Sequence, residues 1–489
     1  MSRLKIAATS LILLHATHSP ANEILPQGYR IETIATPNNA RFEIGGLDIN
    51  NRGDVAIGTR DGDIWLLQHE AAQGVVKAES WRHFAEGLGE ITGLLWDDDG
   101  SLLVAQKEEL SRVLDSDGDE KADKHINLCN AWAWDQNYHE FHFGPVKDRR
   151  GNLYGTLNLA SGLDGYTWRN LPASMSTKGG YRGWAYQLTK KGEFVPFAAG
   201  FRSPAGIGIS PKQEIFVTDN QGDWVSTSTL SHVKKNHFYG HPVSLIDHPK
   251  WDKNKIDALE TDDIWAMTHK PAVWLPHNEL SRSPGNPLWD TTEGKFGPFS
   301  GQMFVPDHRN SSVFRVMLEK VKGEYQGAAI QFITGFQSGN IRIDYDPAGH
   351  MWVGQTGRGW PTKGTEPYGV QRVSWDAKSL PFELLDIHLT KTGFELEFTH
   401  ELDVSRLNPA AVSVKQWHYH HSQEYGSAKI DEKTLRITGI SLAKNKRTLS
   451  INLPLETGRV FAINFGKVRS DEGLHVSADT VYYTLNQLR

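Results

Sequence analysis

Apolar and polar residues alternate with a period of two along most of the chain, and the alternation arrives in units. Each unit has an apolar strand, a tight Asp/Gly turn and a second alternating strand. Gly45-Gly46-Leu47-Asp48-Ile49-Asn50-Asn51-Arg52-Gly53-Asp54-Val55-Ala56-Ile57-Gly58 is one copy. Ile91-Thr92-Gly93-Leu94-Leu95-Trp96-Asp97-Asp98-Asp99-Gly100-Ser101-Leu102-Leu103-Val104 is another. Further copies begin near Phe141, Ala205, Gly301 and Ile341. Short strands repeating every ~40 to 50 residues predict the blades of a β-propeller. The interval between residues 205 and 301 is nearly twice the usual spacing and has room for one more blade, so six or seven blades are expected, with seven preferred. Helical periodicity is scarce, and the chain reads as all-β.

The pattern changes near Ser379-Leu380-Pro381. From Phe382 onward shorter alternating segments with polar turns predict an immunoglobulin-like β-sandwich. The expected organisation is a secretory signal over residues 1–21, a propeller over 22–380 and a sandwich over 381–489. The signal rests on a basic start (Arg3, Lys5), an apolar run to Leu14 and the small residues Ser19 and Ala21. That run is too short to span a bilayer, and the expected location is periplasmic or secreted.

Composition narrows the function classes. The 489 residues are 38% hydrophobic and 22% charged with a formal net charge of −6, and no block of basic residues stands out. Nucleic acid and membrane are therefore excluded as partners, and a soluble monomer is expected. The single cysteine, Cys129, excludes an intrachain disulfide and a covalent c-type haem; it reads as a small buried side chain.

In a propeller blade, the loop entering the first strand and the loop leaving the second lie on one face. His139 and His142 enter an inner strand, Arg202 enters the next blade, Asn158 and Asn220 leave second strands, and Tyr181 and Tyr186 begin a third. All are expected to converge on one face. Side chains alternate along a strand, so His139 and His142 cannot both point the same way in ideal geometry. Trp132, Trp134 and Trp224 are candidates for stacking on sugars. His237, His241 and His277 have the residue types of a zinc site without its closed spacing, and Asp115-Asp117-Asp119 reads as a hairpin turn.

Two resemblances follow. Gly200-Phe201-Arg202-Ser203-Pro204-Ala205-Gly206-Ile207, followed by Ile215-Phe216-Val217-Thr218-Asp219-Asn220, resembles the quinone-dependent sugar dehydrogenase-like propellers. That likeness implies a histidine base, Arg202 against a quinone, and calcium. The set of His139 or His142 with Tyr186 and Arg202 resembles the site of β-propeller ulvan lyases. This second likeness implies β-elimination on an anionic, uronate-containing polysaccharide with no cofactor. Arg202 would neutralise the uronate carboxylate and Tyr186 and a histidine would act as base and acid, with Asn158, Tyr181, Asn220 and Trp224 on the substrate. The lyase is the leading expectation, and the quinone-dependent dehydrogenase and a non-catalytic glycan-binding propeller are the alternatives.

Overall fold

A computed structural model describes residues 23–489 except 163, 164, 173 and 408. The expected signal segment lies outside the described residues. Among them, no helix is long and apolar enough to cross a membrane.

Among the described residues, six four-stranded antiparallel units surround one axis, and the fold is all-β. Their inner strands are Ile44–Ile49, Ile91–Trp96, His142–Lys147, Gly206–Ile209, Leu288–Trp289 and Asn340–Tyr345, which we number as blades 1 to 6. Blade 6 takes its outermost strand from the start of the chain: Tyr29–Thr33 pairs with Tyr368–Trp375 and closes the ring.

The preference for seven blades is corrected. The long interval is filled by the outer strands of blade 4, Ser228–Val233 and Val273–Leu275, and between them by a 3-10 turn at Pro242–Asp247 and two short helices, Lys253–Asp257 and Thr261–Met267. The unit expected to begin near Gly301 in fact begins earlier. Met303–Asp307 is the second strand of blade 5, and its inner strand is Leu288–Trp289. Pro284 and Pro287 interrupt that inner segment, and proline gives no ladder hydrogen bond, so no alternation showed there.

The glycines that recur at the inner strands have a packing cause. A Cβ on Gly45 would lie 1.8 Å from the Ile91 carbonyl oxygen, one on Gly93 1.6 Å from that of Gly144, and one on Gly206 2.0 Å from that of Gly285. Backbones of neighbouring blades touch here, and no side chain fits between them.

Polar groups then tie blade to blade. Asn286 Oδ1 accepts from the Ile343 N–H at 3.0 Å, Asp344 Oδ2 from the Ile49 N–H at 2.7 Å, and Asp48 Oδ2 from the Trp96 N–H at 2.7 Å. Burial raises the carboxyls of Asp48 and Asp344, the latter to about 7. On the axis, the buried Arg342 guanidinium donates to three carbonyls: Ile341 at 2.7 Å, Thr92 at 2.7 Å and Ala205 at 3.2 Å. Blades 6, 2 and 4 thus share one cation, which also sits 5.0 Å from the Phe143 ring centroid.

The carboxy-terminal strands form two sheets. One holds Leu384–Leu389, Gly393–Phe398, Thr448–Asn452 and Gly439–Leu442. The other holds Ile430–Leu435, Ser413–His418, Arg459–Asn464 and Thr480–Leu485. The last strand pairs with Glu324–Ile333, the outer strand of blade 5, so the sandwich continues a propeller sheet. Met317, Ala328 and Ile330 of blade 5 join Phe394, Phe461 and Tyr483 in one core. An otherwise open sheet edge is covered in this way.

Arg342→Met leaves the Thr92, Ala205 and Ile341 carbonyls without that donor. An unsatisfied buried group costs about 1–3 kcal/mol, so a clear loss of stability in denaturant unfolding is expected. An unchanged midpoint would show that the axial cation is dispensable.

Candidate active site

The axial cavity on one face has a volume of about 540 Å³. Its lining comes from the loops that enter inner strands or leave second strands, as the face rule requires, with Met175 and Tyr425 added from elsewhere. Arg342 and Phe143 separate it from a smaller recess on the opposite face: Phe143 lines both spaces, and Arg342 lines the recess.

His139 and Arg202 reach the cavity, and so do Asn158 and Asn220. His139 Nδ1 lies 2.8 Å from the Leu159 carbonyl, which sets it as the protonated nitrogen and turns Nε2 toward Ser203 Oγ at 3.3 Å. Ser203 Oγ in turn accepts from Asn158 Nδ2 at 3.2 Å and Asn220 Nδ2 at 3.4 Å. The amide oxygens of both asparagines are buried with no partner among the described residues. Burial, and then the positive charge of Arg202, push the His139 imidazole down to about 3, so it is neutral at physiological pH.

Arg202 is held by Asp223, whose Oδ1 accepts from Nε at 2.7 Å. Asp223 Oδ2 accepts from the Met175 N–H at 2.8 Å and faces His241 Nε2 at 3.1 Å. Burial works against the Asp223 carboxylate, yet His241 and Arg202 together hold it below the usual carboxylate range. Gly222 permits the arrangement, since a Cβ there would lie 1.9 Å from Arg202 Nε. The two terminal nitrogens of Arg202 donate to no protein group among the described residues.

Other expected site residues lie elsewhere. His142 and Tyr186 are fully buried and bonded to each other, with Nε2 to Oη at 2.7 Å, while His142 Nδ1 lies 2.8 Å from the Gln106 carbonyl. Trp132 packs on both rings. Strand alternation sends His142 between blades while His139, in the loop before the strand, faces the axis. Burial raises the Tyr186 phenol well above its ordinary value. It cannot serve as a site acid or base, and this removes the triad on which the lyase expectation stood. Trp224 is buried against Trp168 and His421, and half-buried Tyr181 packs on Trp184 and Phe194; neither lines the cavity.

The three histidines considered for zinc do not assemble. His237 is exposed, His241 serves Asp223, and His277 lines the cavity and accepts from Arg282 Nε at 3.2 Å. Among the described residues, three ligand atoms lie within 4.8 Å of one another only at Asp63/His83/Glu86 and at Asp115/Asp117/Asp119. The second of these is an exposed turn whose carboxylates accept its own backbone N–H groups.

The charged and titratable site residues Arg282, Arg309, Arg358 and His308 were missed, as were the aromatics Trp360 and Tyr425. A readable signal for Arg282 existed. Arg282-Ser283-Pro284 repeats Arg202-Ser203-Pro204, and the structure uses the two alike. Asp219 accepts from the N–H groups of Arg202 and Ser203 at 2.8 and 2.7 Å, and Asp307 from those of Arg282 and Ser283 at 2.8 and 2.9 Å. Arg309 and Arg358 follow second strands, where the face rule would place them. Arg358 is bound to Glu90 at 3.1 Å and lies 4.0 Å from the Phe141 centroid.

Among the described residues, the cavity is thus lined by four arginines and three histidines and by no carboxylate. Arg202 and Arg358 have carboxylate partners, whereas Arg282 and Arg309 have none within 4.0 Å among the described residues.

Comparison with known proteins agrees with the architecture. No protein-family model and no curated protein matches the sequence. Among solved structures, a candidate oxidoreductase (glucose dehydrogenase) from Thermus thermophilus is 17% identical, covering 71% of this chain and 100% of its own, at a TM-score of 0.50. The PQQ domain of pyranose dehydrogenase from Coprinopsis cinerea is 12% identical, covering 72% and 96%, also at 0.50. The PQQ-bound aldose sugar dehydrogenase of Streptomyces coelicolor is 14% identical, covering 71% and 99%, at 0.49. At these identities the likeness is one of fold. The lyase expectation is overturned: its tyrosine is sealed in the core, and the two neighbours at a TM-score of 0.50 are named as dehydrogenases, not as lyases.

Two outcomes are expected. Tyr186→Phe removes the partner of His142 Nε2 and should destabilise by about 1–3 kcal/mol in chemical unfolding; unchanged stability would contradict the structural role of the pair. His139, His142 and His308 have folded-state pKa values pushed down to about 3, 3 and 4, chiefly by burial. The unfolded chain therefore binds more protons below about pH 6.5, and stability should fall as pH drops from there toward 4. His142→Gln should flatten that slope in urea titrations at stepped pH.

Proposed function

We propose that this chain is a quinone-dependent sugar oxidoreductase, with a carboxylate-bearing quinone and a sugar sharing the axial cavity. The observation that carries this reading is the charge of the lining: in a chain with a net charge of −6, the described residues of the lining include four guanidiniums, two of them without a carboxylate partner, and no carboxylate. Such a wall selects a multiply anionic, planar ligand, and the guanidinium fork suits carboxylates. Arg282 and Arg309, free of carboxylate partners, with Arg358 beside them, would hold it on the side of blades 5 and 6. Among the described residues, the side-chain oxygens that this cavity can offer a calcium ion are amide oxygens, of Asn158, Asn220 and Gln221, and hydroxyls, with no carboxylate.

When bound, a quinone supplies a two-electron acceptor for the hydride of a sugar hydroxyl carbon. The residues of blades 3 and 4 do the rest. His139 is neutral, is anchored through Nδ1–H, and presents Nε2 as the acceptor for the hydroxyl proton, directly or across Ser203 Oγ. The unsatisfied oxygens of Asn158 and Asn220 accept from sugar hydroxyls and orient the ring. The terminal nitrogens of Arg202 donate to sugar oxygens.

Calorimetric titration of the metal-supplemented protein with PQQ, followed by a dye-linked oxidation assay on an aldose panel, tests the reading. Saturable PQQ binding, weakened in Arg309→Ala, is expected. A general base contributes about 10²–10⁴-fold, so His139→Ala should lose activity on that scale with PQQ binding retained. Failure of PQQ to bind would refute the proposal, and glycan binding without it would leave a binding propeller.

A further inference from the structure

The second domain forms part of the cavity. The loop between Ser413–His418 and Ile430–Leu435 of the sandwich leaves its own domain and lies along residues 222–226 of blade 4. The Trp224 N–H donates to the Ser422 carbonyl at 2.8 Å, the Gly426 N–H to that of Gly222 at 3.0 Å, and the Ser427 N–H to that of Ser226 at 2.8 Å. Ser226 Oγ donates to the His420 carbonyl at 2.7 Å. His421, buried between Trp224 and Trp265, anchors the loop from below. The loop thereby carries Tyr425 to the cavity, where its ring centroid lies 5.2 Å from the Arg202 guanidinium carbon.

Nothing in the fold needs Tyr425 there, since 71% of it is exposed. Four large aromatic side chains are exposed among the described residues: Trp134, Tyr138, Trp360 and Tyr425. Three of these four, Tyr138, Trp360 and Tyr425, line this one cavity, and each comes from a different part of the chain. Tyr138 stands in the loop entering blade 3, Trp360 in the loop leaving the second strand of blade 6, and Tyr425 in the sandwich. Exposed aromatic faces cost solvation and are retained where a ligand covers them. Below them the polar groups are buried: Asn158 is 1% exposed, Ser203 4% and Arg202 7%. A single sugar ring seated on that floor leaves the open rim uncovered, whereas a chain of rings fills both.

We infer that the sugar taken by this cavity is the end of an oligosaccharide, with Tyr425 of the second domain stacking on a ring beyond the one at the floor. The inference rests on the proposed sugar-binding reading and adds its substrate class and a specificity-determining residue. Tyr425 acts by its face, with Arg202 beneath holding it as a cation–π pair and leaving two nitrogens for sugar oxygens.

The test is binding to the quinone-free protein by titration calorimetry. The probes are glucose and galacturonic acid, together with cello-oligosaccharides and oligogalacturonides of two to six residues. Affinity should rise at least about tenfold from monosaccharide to tetrasaccharide in one series, as aromatic stacking and added burial imply. Tyr425→Ala should return the tetrasaccharide to monosaccharide affinity, Tyr425→Trp should preserve the gain, and both should keep the wild-type melting temperature. Equal affinity for all lengths, no binding by any probe, or a tetrasaccharide unaffected by Tyr425→Ala would each overturn the inference. PQQ titration of the same samples separates the two ideas. Retained PQQ binding without length dependence leaves the oxidoreductase reading standing, and lost PQQ binding with length dependence removes the quinone alone.

Discussion

The fold depends on how six inner strands meet at an axis without leaving their backbone groups unsatisfied. Glycines let the strands touch, and carbonyls then point into a space too narrow for ordered layers of side chains. Arg342 answers this constraint by donating to carbonyls of three alternate blades. Its charge has no carboxylate partner within 4.0 Å among the described residues, and burial with the nearby Arg358 pushes its guanidinium down to about 9. The carbonyl dipoles carry the compensation. The same cation forms the floor that makes a cavity out of a channel, so a structural solution at the axis also bounds the candidate site.

Around that floor, charge follows blade position. On the side of blades 1 and 2, Glu43 and Glu90 engage Arg60 and Lys107 and reach across to Arg358. On the side of blade 5, Arg282 and Arg309 stand without such partners. On the side of blades 3 and 4, His139, Ser203, Asn158 and Asn220 form a neutral hydrogen-bonding group with acceptor capacity to spare. One cavity thus has an anion-seeking wall beside a hydroxyl-orienting wall. The Tyr425 loop closes part of the rim because it is hydrogen-bonded along blade 4 and because the last strand of the sandwich pairs with blade 5, which sets where the second domain can reach.

Much of this was legible in the sequence. Alternation and Asp/Gly turns marked blades 1, 2, 3, 4 and 6, and the rule that loops entering first strands and leaving second strands share a face grouped His139, Arg202, Asn158 and Asn220, which line one cavity in the structure. Blade 5 was misread because two prolines erased the pattern of its inner strand. With it went Arg282 and Arg309, although the second Arg-Ser-Pro run was in plain view. His142 and Tyr186 misled for a different reason. A polar pair in the core and a polar pair in a site have the same composition, and two buried groups that satisfy each other leave no trace in the one-dimensional pattern.

Local chemistry was therefore settled by the chain itself: strand period, turn positions, the glycines at close approaches and the residue types able to bind anions or hydroxyls. Tertiary structure alone decided which of those residues share a cavity. That depends on strand facing, where one residue's shift turns a side chain from axis to core. It depends also on contacts between segments some 200 residues apart, such as Tyr425 over Arg202. A local pattern cannot encode such a meeting, because the energies that fix it come from sheet pairing and packing elsewhere in the fold.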